Sequence, residues 1–174
     1  GILSRYPLND IEYDTLNNQV NYIRTRIEFE GEVITIVTTH PSPPSWGRTF
    51  NSSKRSRHID WIMEKLTQES GAMVILGDFN IAPEARDTHD PAVWNEDHIL
   101  TSTAERDALK RLLSLGLHDA YRLHHQDEGQ FSWWDYRQAG FRRNLGLRID
   151  LTLISESLRG RCVAAGIDRE PRTW

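Results

Sequence analysis

The nine residues from Met73 to Ile81 constrain this chain most, because an unbroken apolar run, Met73-Val74-Ile75-Leu76, passes directly into Gly77-Asp78-Phe79-Asn80-Ile81. A short run of this kind is the pattern of a strand buried on both faces. Gly77 marks a point where backbone or ligand approaches closely. Asp78 and Asn80 then emerge at the strand's exit, two positions apart and pointing the same way, where loops carry chemistry. Standing alone, the pattern reads first as an Asx-turn that closes a strand.

It has company. Gly146-Leu147-Arg148-Ile149-Asp150-Leu151-Thr152-Leu153-Ile154 reads as a strand with an acid inside it, and an ionised group among such neighbours is costly unless paired or hydrogen-bonded. The β-rich run Val33 to Thr39 is followed by His40-Pro41-Ser42-Pro43-Pro44, which puts a titratable ring just past a third strand end.

Other segments organise the chain around these ends. Val20 to Phe29 and Val33 to Thr39 form strands joined through Glu30-Gly31-Glu32 as a hairpin. A Pro-rich loop from Pro41 to Trp46 leads to a helix from Lys54 to Glu69, with Ile59, Ile62, Met63 and Leu66 on one face. A long loop, Ile81 to Thr101, carries Asp87, His89, Asp90 and Trp94. Ser102 with Glu105 makes a capping box, opening a helix whose Ala108, Leu109, Leu112 and Leu113 face the core until Gly116 stops it. Gly1-Ile2-Leu3 begins inside a strand, and another strand-like stretch runs from Cys162 to Ile167. Helices alternating with apolar strands indicate covered sheets.

The 174 residues make one domain, 1–174, and 38% apolar content with six Trp is enough for a core. No apolar stretch is long enough to span a bilayer, so no membrane association is expected. The single cysteine, Cys162, excludes an internal disulfide and metal-ligand Cys spacing, and makes a reducing, cytoplasmic setting the default. A net charge of −4 argues against a protein that coats nucleic acid generally. It leaves room for an enzyme with acids at its centre and basic groups along a phosphate track. Lys54, Arg55 and Arg57 read as a solvated face; Arg137, Arg142, Arg143 and Arg148 sit among Trp133, Trp134 and Tyr136, a mixture suited to stacking on bases and pairing with phosphates.

Taken with Phe131-Ser132-Trp133-Trp134-Asp135-Tyr136-Arg137, the motifs at the three strand ends resemble the endonuclease/exonuclease/phosphatase superfamily. Within it, the stretches Ala104-Glu105-Arg106 through Leu115-Gly116-Leu117-His118-Asp119-Ala120-Tyr121-Arg122, and Asn144 to Asp150, resemble the exonuclease III group of abasic-site DNA repair nucleases. The resemblance implies a four-layer α/β/β/α sandwich of two facing mixed sheets, like deoxyribonuclease I, with the site at one end. It also implies that the domain is partial: the family's metal-holding Asn and Glu, expected before the matched region, and its Asp-His pair, expected after it, have no counterpart in the sequence.

By the same resemblance, the chain is a magnesium-dependent DNA repair hydrolase, with manganese as an alternative ion, acting as a monomer on double-stranded DNA with abasic sites or blocked 3′ ends. Asp78 would orient and deprotonate the attacking water, and Asn80 would donate to a phosphate oxygen or hold that water; both would contribute to the metal. Asp150 would orient the family's final His, and His40 would donate to the phosphate or leaving group. Trp133, Leu147 and Ile149 would wall a pocket for a base-less sugar, with Arg137 and Arg148 on phosphates. The group usually has Tyr where His40 stands, a swap that is similar to deoxyribonuclease I. A broader phosphodiesterase acting on other nucleic acids or phospholipids, and a non-catalytic DNA-binding remnant, are the alternatives.

Overall fold

A computed structural model of the chain describes residues 1–16, 19–41 and 52–170. The Pro-rich loop lies outside these from residue 42 onward. Eight strands run in chain order: β1 (Asn9–Leu16), β2 (Gln19–Phe29), β3 (Glu32–Thr39), β4 (Ala72–Asp78), β5 (Leu117–Asp119), β6 (Trp133–Trp134), β7 (Gly146–Leu147) and β8 (Asp150–Ser155). Helices α1 (Ser52–Leu66), α2 (Thr103–Leu113), α3 (Ala120–His124) and α4 (Glu156–Arg159) lie between and after them. Six strands form one mixed sheet in the order β1-β2-β3-β4-β8-β5, in which only β3 and β4 run parallel; β6 and β7 form a separate two-stranded ribbon.

Local chemistry explains most of these elements. Glu30 and Gly31 both take positive φ, 53° and 80°, which is the backbone a tight two-residue hairpin needs, and Phe29 pairs with Glu32 across it. In α2, the Ser102 hydroxyl accepts the Glu105 N–H while the Glu105 side chain accepts the Ser102 N–H, so the expected capping box is formed. Gly116, at φ 83°, follows the helix's end. The first helix ends at Leu66 rather than Glu69, although Thr67, Gln68 and Glu69 still donate backward to Met63, Lys65 and Leu66.

Ile59, Ile62 and Leu66 of α1 and Ala108, Leu109 and Leu112 of α2 pack with Tyr22, Val37, Ile75, Leu151 and Leu153 from one face of the sheet. Each such side chain removed from water contributes about 1.5–3 kcal/mol. Residues one position along, among them Ile34, Ala72 and Ile154, belong to the other face, where Ala120, Leu158, Cys162 and Ala165 join them. Apolar contacts on both faces are the reason these strands read as unbroken runs.

The mixed α/β class is borne out, with one large mixed sheet that carries α1 and α2 on one face and residues of the short α3 and α4 on the other. Among the described residues the only further pairing is the short β6–β7 ribbon and a single bridge between Thr88 and Leu147, so a second large facing sheet is not formed by them. Three strand assignments change. Gly1-Ile2-Leu3 is not in a strand; the first strand is β1, an edge strand whose Ile11 and Tyr13 are exposed. Residues 162–167 are likewise not in a strand, and Cys162 and Ala165 pack instead against the second face. The stretch from Gly146 to Ile154 is two strands, because the chain leaves β7 and enters the main sheet only at Asp150, with Arg148 and Ile149 between.

Candidate active site

Three strand ends meet at one end of the large sheet. In the parallel pair, Thr39 lies beside Gly77, so the next residues, His40 and Asp78, come together. This rung depends on glycine: a Cβ on Gly77 would sit 1.8 Å from the Thr39 carbonyl oxygen. In the antiparallel pair, Asp78 faces Asp150 directly. His40 Nε2 is 3.8 Å from Asp78 Oδ2, with the two side chains 53% and 31% exposed.

Asn80 completes the corner. Its N–H donates to Asp78 Oδ1 at 2.9 Å, the Asx-turn that the motif suggests, and its φ of 52° is one that Asn tolerates better than most residues. Its Nδ2 donates to the Pro41 carbonyl at 3.1 Å, tying the Asp78 loop to the segment after His40. Burial is the main cause that pushes the Asp78 carboxyl above the usual carboxylate range. The Asn80 N–H opposes that shift, the Asp150 charge adds to it, and His40 and Arg55 relieve it.

Supporting residues that sequence reasoning missed hold these groups. The buried Asn21 accepts the His40 N–H on its backbone carbonyl at 3.3 Å and donates from Nδ2 to the His40 carbonyl at 2.7 Å. Thr39 Oγ1 donates to the same Asn21 carbonyl. An Asn between apolar strand neighbours was the available clue. On the other side, Phe79 N–H donates to the Ile149 carbonyl at 2.9 Å, and the N–H groups of Ile149 and Asp150 both donate to Ser132 Oγ.

Several expected substrate contacts are placed differently. Arg148 is 1% exposed, donating from Nε to Asp87 Oδ1 at 2.7 Å and lying 2.8 Å from Asp119 Oδ2 through a terminal nitrogen, so it is not available to phosphate. Burial works against its charge, but the two carboxylates hold the guanidinium above its ordinary value. Leu147 and Ile149 are almost fully buried and cannot wall an open pocket. With Ala82 and Leu100 they form a floor on which the half-buried Trp133, Trp94 and Ile99 rest. Trp134 is buried, its indole N–H donating to Asn144 Oδ1, whereas its neighbour Trp133 is half-buried. Arg137 is exposed, its guanidinium 5.2 Å over the Tyr136 ring. Arg55, read as part of a solvated face, is buried and donates from Nε to Glu105 Oε1 at 2.6 Å.

Asp78 and Asn80 are the expected metal-holding pair. Magnesium demands near-octahedral oxygen coordination. Among the described residues no group of three or more His, Cys, Asp or Glu side chains could hold a metal ion. Asp78 Oδ1 already accepts the Asn80 N–H, and the oxygens this pair would offer a cation are Asp78 Oδ2 and the Asn80 amide oxygen, far short of an octahedral set. The described residues therefore do not by themselves fit a magnesium shell. Nor, among them, is any helix long and apolar enough to cross a membrane.

A family model described as Endonuclease/Exonuclease/phosphatase family matches residues 1–173. The chain belongs to this family. It is 38% identical over 111 residues to exodeoxyribonuclease III of Haemophilus influenzae, an overlap of 60% of this chain and 42% of that protein. The solved AP endonuclease from Archaeoglobus fulgidus superimposes with a TM-score of 0.82 at 28% identity, covering 98% of this chain and 67% of that one. The 3′ phosphatase NExo from Neisseria, solved bound to a product DNA hairpin, gives a TM-score of 0.76 at 30% identity, covering 90% of this chain and 62% of that one. The chain spans about half the length of the curated relatives it matches.

Proposed function

We propose that the chain is the site-bearing part of an exonuclease III-like DNA repair nuclease, which hydrolyses phosphodiesters at abasic sites or removes groups from blocked 3′ ends. The observation that carries the reading is the meeting of His40, Asp78 and Asp150 on adjacent strand ends, with Asn80 closing the corner. Hydrolysis needs a water made nucleophilic, charge stabilisation on the phosphoryl oxygens and a proton for the leaving oxygen. Asp78 has one carboxylate oxygen committed to the Asn80 N–H and the other facing His40, so Oδ2 is the atom that accepts the proton from water. As the water oxygen bonds to phosphorus, the bond to the departing sugar oxygen breaks, and His40 donates the proton that this oxygen takes up. Asn80 orients the water or a phosphoryl oxygen, and Asp150 orients a histidine, the role the family resemblance gives it.

Half-buried Trp133 is the residue in this reading that meets an extruded sugar, and exposed Arg137, stacked on Tyr136, meets phosphate. The ion in the reading is magnesium, or manganese in its place. The partner is duplex DNA, bound by a monomer in a reducing, cytoplasmic setting. His40 favours a second reading, a phosphodiesterase of wider substrate range, because it sits where the exonuclease III group usually has Tyr.

Duplexes with a single abasic site or a 3′-phosphate, assayed with each ion and with chelator, test the proposal beside a small generic phosphodiester. Asp78→Asn is expected to lower turnover by ~10²-fold or more while DNA affinity holds. Trp133→Ala is expected to harm abasic cleavage more than hydrolysis of the small diester. Equal losses on both substrates with a lower melting temperature would favour the wider phosphodiesterase. Normal turnover by Asp78→Asn would end the mechanism.

A further inference from the structure

Asp78 and Asp150 are directly opposed in an antiparallel pair, an arrangement in which like charges repel. Beyond this rung one backbone bond, from the Phe79 N–H to the Ile149 carbonyl, still joins the two sides, and Asp150 is the first residue of β8. The chain before it has left for the β6–β7 ribbon. The N–H groups at the strand's start are held from the ribbon by one hydroxyl. Ser132 Oγ accepts the N–H of Ile149 at 3.1 Å and the N–H of Asp150 at 3.0 Å. Two lone pairs thus meet two donors.

The hydroxyl is itself aimed by the ribbon. Ser132 N–H donates to the Leu147 carbonyl at 3.0 Å, and the next residue, Trp133, pairs with Leu147 in the β6–β7 ladder. One end of the connection is therefore the half-buried Trp133 on its apolar floor, and the other is the acid facing Asp78. We infer that Ser132 is a positioning residue that couples the aromatic ribbon to Asp150 and so fixes the spacing of the two facing carboxylates. The inference rests on the nuclease reading above. Without the hydroxyl, the N–H of the buried Ile149 has no acceptor, and the segment must move to find one. Misplacing a catalytic group by about 1 Å costs on the order of 10²-fold in rate.

The test compares wild type, Ser132→Ala and Ser132→Thr by kcat and KM on an abasic duplex, with amide exchange at Ile149 and Asp150 measured on the same proteins. Ser132→Ala is expected to lose roughly 10- to 100-fold in kcat, with KM little changed and both amides exchanging faster. Ser132→Thr, which keeps the hydroxyl on the same carbon, is expected to restore rate and protection. Unchanged kcat in Ser132→Ala, or a loss confined to KM, overturns the inference. So do equal losses in the Ala and Thr variants that follow their melting temperatures. A wild-type protein inert on DNA defeats the nuclease reading instead; the amides then decide, with unchanged protection in Ser132→Ala overturning the positioning role and Thr-reversible loss supporting it.

Discussion

Replacing Asp87 by Ala is expected to be among the most damaging single changes in the chain. Its carboxylate has no exposure and accepts from Arg148 Nε at 2.7 Å, from Arg122, and from the Glu84 N–H at 3.0 Å. Removing it strands Arg148, 1% exposed, with Asp119 as its remaining anionic partner, and one of its terminal nitrogens already lacks a hydrogen-bond acceptor among the described residues. Breaking a buried pair from one side costs about 3–5 kcal/mol, whereas an exposed pair is worth about 0–1. At about 2–4 °C per kcal/mol for a domain of this size, the melting temperature should fall by roughly 6–20 °C. The Asp87→Leu, Arg148→Met double variant removes both charges and should be less destabilised than Asp87→Ala alone, by about 1–3 kcal/mol. Urea denaturation of the three proteins measures this. A loss below about 1 kcal/mol in Asp87→Ala would show that the pair is no more than a surface contact, and a double variant no more stable than Asp87→Ala would refute the cost of the stranded charge.

Two further outcomes follow from the site itself. Gly77→Ala forces a Cβ against the Thr39 carbonyl, so it should part β3 from β4 where His40 meets Asp78 and cost more than the ~1–3 kcal/mol of ordinary overpacking; a wild-type melting temperature would refute the close approach. Because the folded-state pKa of Asp78 is raised, its ionised form opposes folding above that pKa, and the penalty disappears as the pH falls through it; Asp78→Asn should therefore melt higher than wild type at neutral pH, with the difference shrinking in acid, as thermal scans across pH will show.

Local signals in the sequence located the elements that build the site. The Glu30-Gly31 turn, the Ser102–Glu105 box, the helix face through Ile59 and Ile62, and the Met73 to Gly77 strand each rest on residues within a few positions of one another, and each is present. Pairings at long range were not legible. Arg148 finds Asp87 across 61 positions, Arg55 finds Glu105 across 50, and Ser132 reaches Asp150 across 18. The need of an ionised group inside an apolar stretch for a partner does not bear on Asp150, which is exposed at the strand's start. It holds instead for Arg148, two positions earlier, whose burial splits the stretch into β7 and β8. The β1 strand does carry an apolar–polar alternation in Ile11-Glu12-Tyr13-Asp14, but as an edge strand it leaves Ile11 and Tyr13 exposed rather than turned to the core.

The structural and the chemical readings of the Gly77 to Ile81 motif turn out to be one arrangement rather than rivals. An Asx-turn uses one carboxylate oxygen of Asp78 to hold the Asn80 N–H, which fixes the carboxylate plane and leaves the other oxygen towards His40. A free carboxylate at a strand end would rotate between equivalent acceptors; here the turn removes that freedom, which in the proposed mechanism lowers the entropic cost of positioning the base. The same turn sends the Asn80 side chain back to Pro41 and so joins the loop after β4 to the one after β3. In the proposed mechanism, pre-organisation of the proton acceptor is thus built from the local backbone bond that ends the strand, while the facing Asp150 has its backbone held from the aromatic ribbon by Ser132.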